Sequence, residues 1–276
     1  MKKRLFGIFL SLALVLSMMP MGLMVAQAAE VASGTCGDNV TWTLDTDGLL
    51  TISGTGPMKD YYHTTEWGGY TDSDPVPWLS YRSQIKSVVI ESGVTTVGNQ
   101  AFLRCGEMTT ISLPNTITGI GDYAFRRCSK LQDFTMPDSI ASIGREAFSM
   151  CNALVHVVLP AGMTEVPQTT INSCSNLTSI TIPDSITMLG PGAFTSNPSL
   201  SSVTFHGALT AIGDDAFAKA QISPSMALAV SGKDAEIGST AFKNVPPGAV
   251  MIYGEAGGTV ESGASSKNYT FAVAHN

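Results

Sequence analysis

The chain has 276 residues, a formal net charge of −7 and only 13% charged side chains. That balance opposes phosphate backbones and anionic lipid surfaces, which need clustered Lys and Arg; no such cluster is found along the sequence, so nucleic acid is excluded as an expected partner. The length allows a large core, and with so few charges the surface must owe much of its solubility to Ser, Thr, Asn and Gln.

Taken from the N-terminus, Lys2, Lys3 and Arg4 precede an apolar run from Leu5 to Leu16, and Ala26-Gln27-Ala28 supplies a small-x-small site. Residues 1–28 therefore read as a signal peptide cleaved after Ala28, which takes the formal balance to −10 and predicts export without membrane insertion. Cys36 lies too far along to be a lipid-attachment site. Residues 29–84 read as a β-rich N-terminal capping module, with Asp47-Gly48 turning a hairpin between Trp42-Thr43-Leu44 and Leu49-Leu50-Thr51-Ile52. A calcium loop is the weaker reading of Asp45-Thr46-Asp47-Gly48, because the third acidic position and the closing Glu are missing. The segment from Asp60 to Trp78 is crowded with aromatics. Tyr61, Tyr62, Trp67 and Tyr70 are candidate ligand contacts, since loop aromatics stack on sugars or anchor protein partners; the competing reading has them cover the open end of the body behind them, as Trp78 is expected to do.

From residue 97 a period of 23 dominates. Cysteine stands at 105, 128, 151 and 174; Ala-Phe pairs begin at 101, 124, 147, 193 and 216; and Gly98, Gly121, Gly144, Gly190 and Gly213 keep the same time. Such a period predicts a stack of units, none of which buries its apolar face alone. Within one unit, Leu131, Phe134 and Met136 predict a short strand ended by Pro137. Gly144 is expected to permit a tight bend, and Ala147, Phe148 and Cys151, at i, i+1 and i+4, to share one side of a helical turn. The expected fold class is α/β: a solenoid over 85–247 of about seven 23-residue coils, each a short parallel strand plus a helical turn. Residues 248–276 would form a short C-terminal cap.

Stacking would bring side chains one period apart into columns. The cysteines would form a buried file of thiols, more consistent with small core hydrophobes than with disulfides or a metal site. Outward strand positions would form one continuous hydroxyl-rich face, with Ser112, Thr135, Val158, Thr181 and Thr204 beside Thr110, Asp133, His156, Ser179 and Ser202. Asp133 and His156 are its candidate ligand contacts, and His156 would make contact pH-dependent. A merely solvated sheet face is the other reading.

The string Ile120-Gly121-Asp122-Tyr123-Ala124-Phe125, followed by Cys128, Leu131, Phe134, Met136-Pro137, Ile140 and Ile143-Gly144, resembles the BspA-type leucine-rich repeat of bacterial surface proteins. The resemblance covers roughly 90–250, with a degenerate copy at 166–174 and a stretched one near 238. The segment before it is similar to that family's N-terminal module through Gly34-Thr35-Cys36-Gly37, Trp42, Asp47-Gly48, Leu50 to Gly54, Pro77-Trp78 and Ile85. One departure is the Cys, which lies three residues before the first strand Leu instead of after it. The asparagine-ladder logic of ordinary leucine-rich repeats is therefore not expected to carry over. The resemblance implies a secreted or cell-surface solenoid with a binding role and no enzymatic activity of the repeat.

Catalytic motifs are sparse. Histidine occurs at 63, 156, 206 and 275 without zinc-hydrolase spacing, Gly54-Thr55-Gly56 lacks the remainder of a phosphate loop, and no Gly-x-Ser-x-Gly elbow is present. No catalytic residue, cofactor or metal is expected. The expected function is non-enzymatic recognition of an extracellular protein or glycan, with oligomeric state left open; an accessory or cryptic polysaccharide-acting enzyme and a purely structural spacer are the alternatives.

Overall fold

In the computed structural model the described residues are 28–62, 75–222, 226–230, 232, 234–246, 248–264 and 269–273. Nearly all of the signal segment, together with Trp67 and Tyr70, lies outside them.

Strands Glu30–Gly37, Val40–Asp45 and Leu49–Gly54 pair antiparallel in sequence order. The second and third form the expected hairpin: Asp45 Oδ1 accepts the N–H groups of Asp47 and Leu49 at 3.0 and 2.9 Å. Gly48 completes it with φ of +85°, and a Cβ there would lie 2.4 Å from the Gln84 carbonyl. Leu49–Ile52 then pairs parallel with Ser87–Ile90, and that strand with Thr110–Ser112. One sheet thus carries the chain from the antiparallel module into the stack.

Each coil has three sides. One carries the longer strands, among them His156–Val158, Ser179–Ile182 and Ser202–Phe205, paired parallel with Ser179 opposite Ser202 and Ile180 opposite Val203. The next carries two-residue strands such as Glu165–Val166, Met188–Leu189 and Ala211–Ile212, again one coil apart. The third is a run of turns. Inside, rings stack along the axis: Trp78 on Phe102 at 5.6 Å, Phe102 on Phe125 at 5.3 Å and Phe125 on Phe148 at 5.2 Å. Ile171 interrupts the file, which resumes with Phe194, Phe217 and Phe242 at 5.4 and 5.8 Å.

The third side corrects the expected α/β class. The architecture is a β-solenoid of about eight turns, and among the described residues the one α-helix is Thr259–Gly263 in the C-terminal cap. The i, i+1, i+4 spacing is met instead by two consecutive tight turns. In the first, Gln100 and Arg104 adopt φ of 56° and 62°; the next coil repeats this at Tyr123 and Arg127. Left-handed residues cannot sit inside a right-handed helix. Hydrogen bonding agrees: the N–H groups of Gln100, Phe102 and Arg104 each donate, at 2.8 Å, to carbonyls of the next coil, while Leu103 and Cys105 close turns to the third residue back.

The glycine column also plays a different part from the predicted bend. A Cβ on Gly144 would lie 2.4 Å from Asp122 N and 2.5 Å from Gly121 C, so glycine is required there by the close approach of the preceding coil. Side chains at the next position bridge that approach. Asn99 Oδ1 accepts the N–H of Asp122 at 2.7 Å, and Asp122 Oδ1 that of Arg145 at 2.8 Å.

Nor is the long sheet continuous. Residues 131–137 form no strand, and both sheets divide within one coil of each other, the longer between Ser112 and His156 and the shorter between Ile143 and Glu165; the longer divides again between Phe205 and Met226, where the shorter runs on. Turn-side bonds run through the gap, with Phe148 N donating to Thr170 O at 3.0 Å and Met150 N to Asn172 O at 2.9 Å.

All five cysteines are buried and free. The thiols of Cys128, Cys151 and Cys174 each donate at 3.1 Å to the carbonyl of a Phe in the preceding coil: Phe102, Phe125 and Phe148. Asn197 stands one period after Cys174 and does the same work more fully. Its Nδ2 donates to Ile171 O and Phe194 O at 2.9 and 2.8 Å, and its Oδ1 accepts the Cys174 N–H at 2.8 Å. A buried ladder therefore exists after all, shifted to the turn preceding the strand, where otherwise unpaired carbonyls need donors.

Burial pushes the Cys105 and Cys174 thiols up to about 12 and those of Cys128 and Cys151 well above the usual range. The folded chain should consequently resist iodoacetamide at pH 8.5, whereas mass spectrometry should find all five thiols alkylated after denaturation. Because the folded state holds these protons more tightly than the unfolded one, the associated stability is full below the ordinary thiol value of 9.0 and is lost as pH climbs through about 12. Denaturation midpoints should fall across that window.

Candidate functional site

The longer strands present two outward columns. His156 aligns with Ser179 and Ser202, and Val158 with Thr181 and Thr204. Interior partners Val157, Ile180 and Val203 are buried, which fixes the outward register. Val158 is 63% exposed, an apolar side chain held in the open between hydroxyl neighbours. His156 Nδ1 lies 2.7 Å from Ser179 Oγ.

Asp133 occupies the break in this face. Its Oδ1 accepts the N–H groups of Val155 and His156 at 2.8 and 3.0 Å, replacing the main-chain carbonyl that a paired strand would offer. Asp133, His156 and Ser179 are the residue types of a nucleophilic triad and stand one coil apart. In a triad the carboxylate must orient the imidazole N–H, whereas the Asp133 oxygen described here is bound to main-chain N–H groups. Among the described residues no group of three or more His, Cys, Asp or Glu side chains could hold a metal ion.

The aromatic candidates separate. Tyr61 is 2% exposed, with its ring edge-on to Trp78 at 6.3 Å, and so presents no surface to a ligand in this arrangement. Tyr62 is 57% exposed; its hydroxyl donates to Asp60 Oδ2 at 3.4 Å and accepts from Asn99 Nδ2 at 3.3 Å. Trp67 and Tyr70 lie outside the described residues. Trp78 is fully buried, stacked on Phe102, and donates Nε1–H to Ala101 O at 3.0 Å.

Two further features escaped sequence reasoning. The strand face continues with Ala227 and Ala229 paired to Met251 and Tyr253, so its chemistry turns apolar toward the C-terminal end. Coils of altered length hid this column from a 23-residue ruler. On the shorter strands, a cleft of about 730 Å³ opens over Glu165, Met188, Ala211 and Glu236, flanked by Asp214, Asp234 and Thr259. The register of Glu165 to Met188 to Ala211 to Glu236 builds its floor.

A family model described as BspA type leucine rich repeat region matches residues 79–194 and 120–247, in six copies. Similar solved structures include a leucine-rich repeat protein of T. pallidum, 23% identical over 67% of this chain and 88% of that one, with a TM-score of 0.47. A leucine-rich repeat protein from Bacteroides ovatus is 16% identical over 85% and 76%, with a TM-score of 0.42. A leucine rich cell surface protein from Faecalibacterium prausnitzii is 16% identical over 89% and 95%, with a TM-score of 0.36. No curated protein matches.

Proposed function

The chain belongs to the BspA-type leucine-rich repeat family, and from that premise we propose that it is a secreted or cell-surface module that works by contact, without catalysis, on an extracellular protein or glycan. The observation that carries the reading is the strand face: outward columns of short hydroxyl side chains beside the exposed His156 and Val158, held at one-coil spacing by the pairing of His156–Val158 with Ser179–Ile182 and of that strand with Ser202–Phe205. Ser and Thr lose little rotamer freedom on binding, and a paired backbone is ordered in advance, so an extended ligand meets a pre-organised row of hydrogen-bonding groups. Val158 adds an apolar contact, and Tyr62 extends the reading to the edge of the N-terminal module.

The test is a screen of the purified protein against glycan and extracellular-protein arrays, repeated with Thr135→Trp/Thr181→Trp and with Tyr62→Ala. The two threonines flank Val158 in the outward column, Thr135 exposed and Thr181 half-buried, so with folding verified by the melting temperature the double variant should lose at least roughly tenfold in affinity for whatever ligand emerges, a loss typical of a blocked interface centre. Undiminished binding would remove the strand face from the proposal. A chain that binds nothing on either array would be a spacer.

A further inference from the structure

The arginines of the chain are Arg4, Arg82, Arg104, Arg126, Arg127 and Arg145. Along the sequence they are dispersed, but the coil geometry gathers the last four on the turn side of three successive coils. Arg104 and Arg127 occupy the same position one period apart, with Arg104 N donating to Arg126 O at 2.8 Å. At the centre stands Tyr123, whose ring has the Arg126 guanidinium 5.4 Å and the Arg145 guanidinium 5.1 Å from its centroid. Lys130 lies on the same coil. Carboxylates temper the patch: Glu146 pairs with Arg126 at 3.2 Å, Glu107 with Lys130 at 2.7 Å, and Asp122 Oδ1 takes the Arg145 main-chain N–H. Arg127 and Arg145 are exposed; Arg127 Nε donates to the Met150 sulfur at 3.4 Å. Beyond Arg145 the next Lys or Arg is Lys219, so the patch is confined to one zone of a chain whose formal charge is −7.

We infer that this turn-side patch is a binding site for a sulfated polysaccharide, separate from the strand face and independent of the reading given to it. Guanidiniums laid over a ring keep their in-plane N–H donors for an anion, and the fork geometry suits the oxygens of a sulfate. The main chain beneath is anchored: Tyr123, Phe125 and Arg127 each donate an N–H to the following coil at 2.8–2.9 Å. The site is therefore formed before the ligand arrives. Density of charge selects the ligand class. Positions one coil apart are about 4.8 Å apart, so the cations are closer together than the carboxylates of a glycan bearing one acid on every second sugar. A sulfated chain carries several anions per sugar pair and matches that spacing. Acidic residues over the remaining body, including Glu165, Asp214, Asp234 and Glu236 around the cleft, oppose the long contact that a nucleic acid duplex would need.

The experiment measures binding of the purified protein to immobilised heparin at low and physiological salt, with hyaluronate as the carboxylate-only polymer and duplex DNA as competitor. The expected result is heparin binding that weakens steeply with salt and is preferred over hyaluronate. The variant R104Q/R126Q/R127Q/R145Q should lose roughly thirty-fold, the combined effect of four surface charge contacts of which Arg127 and Arg145 are the exposed ones, while the corresponding Arg→Lys variant retains part of the affinity and K86Q/K219Q/K243Q retains all of it. T135W/T181W should bind heparin as the native chain does, which separates this site from the strand face. Melting temperatures verify that each variant is folded. Absence of heparin binding at low salt, equal affinity for hyaluronate, displacement by DNA at lower concentration than by heparin, or an unaffected glutamine variant would each overturn the assignment.

Discussion

Replacing Phe125 by Ala is expected to lower the unfolding free energy by about 3–5 kcal/mol, the range for truncating a buried aromatic. Phe125 is fully buried, with Phe102 and Phe148 stacked on its two faces at 5.3 and 5.2 Å and Phe134 tilted against it at 6.4 Å. In a globular core a lost ring is shared among many neighbours. A solenoid offers only the coils before and after, and the substitution weakens both interfaces at once. Urea denaturation followed by circular dichroism should show a lower midpoint and a less cooperative transition, as the coils on either side begin to unfold separately. Ile171 shows what the file tolerates, since a branched aliphatic side chain holds that position fully buried. Phe125→Ile should accordingly cost much less than Phe125→Ala, and a loss below about 1 kcal/mol for the alanine variant would contradict a load shared along the ring file.

Gly144→Ala is expected to destabilise by about 3 kcal/mol, at the upper end for overpacking. The added methyl would meet Asp122 N at 2.4 Å, Asp122 Oδ1 at 2.5 Å and Gly121 C at 2.5 Å. Two of these are main-chain atoms, which yield only if the whole coil shifts. The third is the carboxylate oxygen that accepts the Arg145 N–H, so relief of the clash would break an inter-coil hydrogen bond. Gly106→Ala is the control: its nearest neighbour would be Ser129 Oγ at 3.5 Å, ordinary contact distance. Thermal melts of the two variants should differ by more than 5 °C, as expected for a gap of this size in a chain of this length.

The stacking and its buried columns were legible because a fixed period needs no knowledge of local conformation. Cys105, Cys128, Cys151 and Cys174 announce that coils repeat, whatever shape each coil takes. The turn side was misread because Ala147, Phe148 and Cys151 fall inward equally well on a helix or on two successive tight turns; the deciding fact is where alternate N–H groups go, and that is a property of the neighbouring coil. The glycine column was noticed for its period and misjudged for its cause, since crowding from a coil 23 positions away leaves no local signature. Tyr61 and Tyr62 are adjacent, yet one ring enters the core beside Trp78 and the other faces solvent, a division that composition of the segment could not supply. From the sequence Asp133 is a candidate ligand contact on the outward face. Its hydrogen bonds to Val155 and His156 show a carboxylate substituting for the main chain at the place where the sheet fails. The arginines became visible as a group only after folding, because neighbours on the turn side are separated in sequence by whole coils.

The coincident interruption of both sheets near residues 131–165, with the turn-side bonds passing unbroken, has a mechanical meaning. Both sheets are interrupted together at this seam, so the compliance of the rod is concentrated there, where the strand margin is spanned by carboxylate bridges instead of a main-chain ladder. Bending opens the strand margin and leaves the turn margin at nearly constant length, as a door turns about its pin. A tensile load along the axis would be carried at the seam by the main-chain bonds of Phe148 and Met150 and by the side-chain bridges of Asp133 and Asp138, so the rod would part there before the paired stretches on either side lost their internal order.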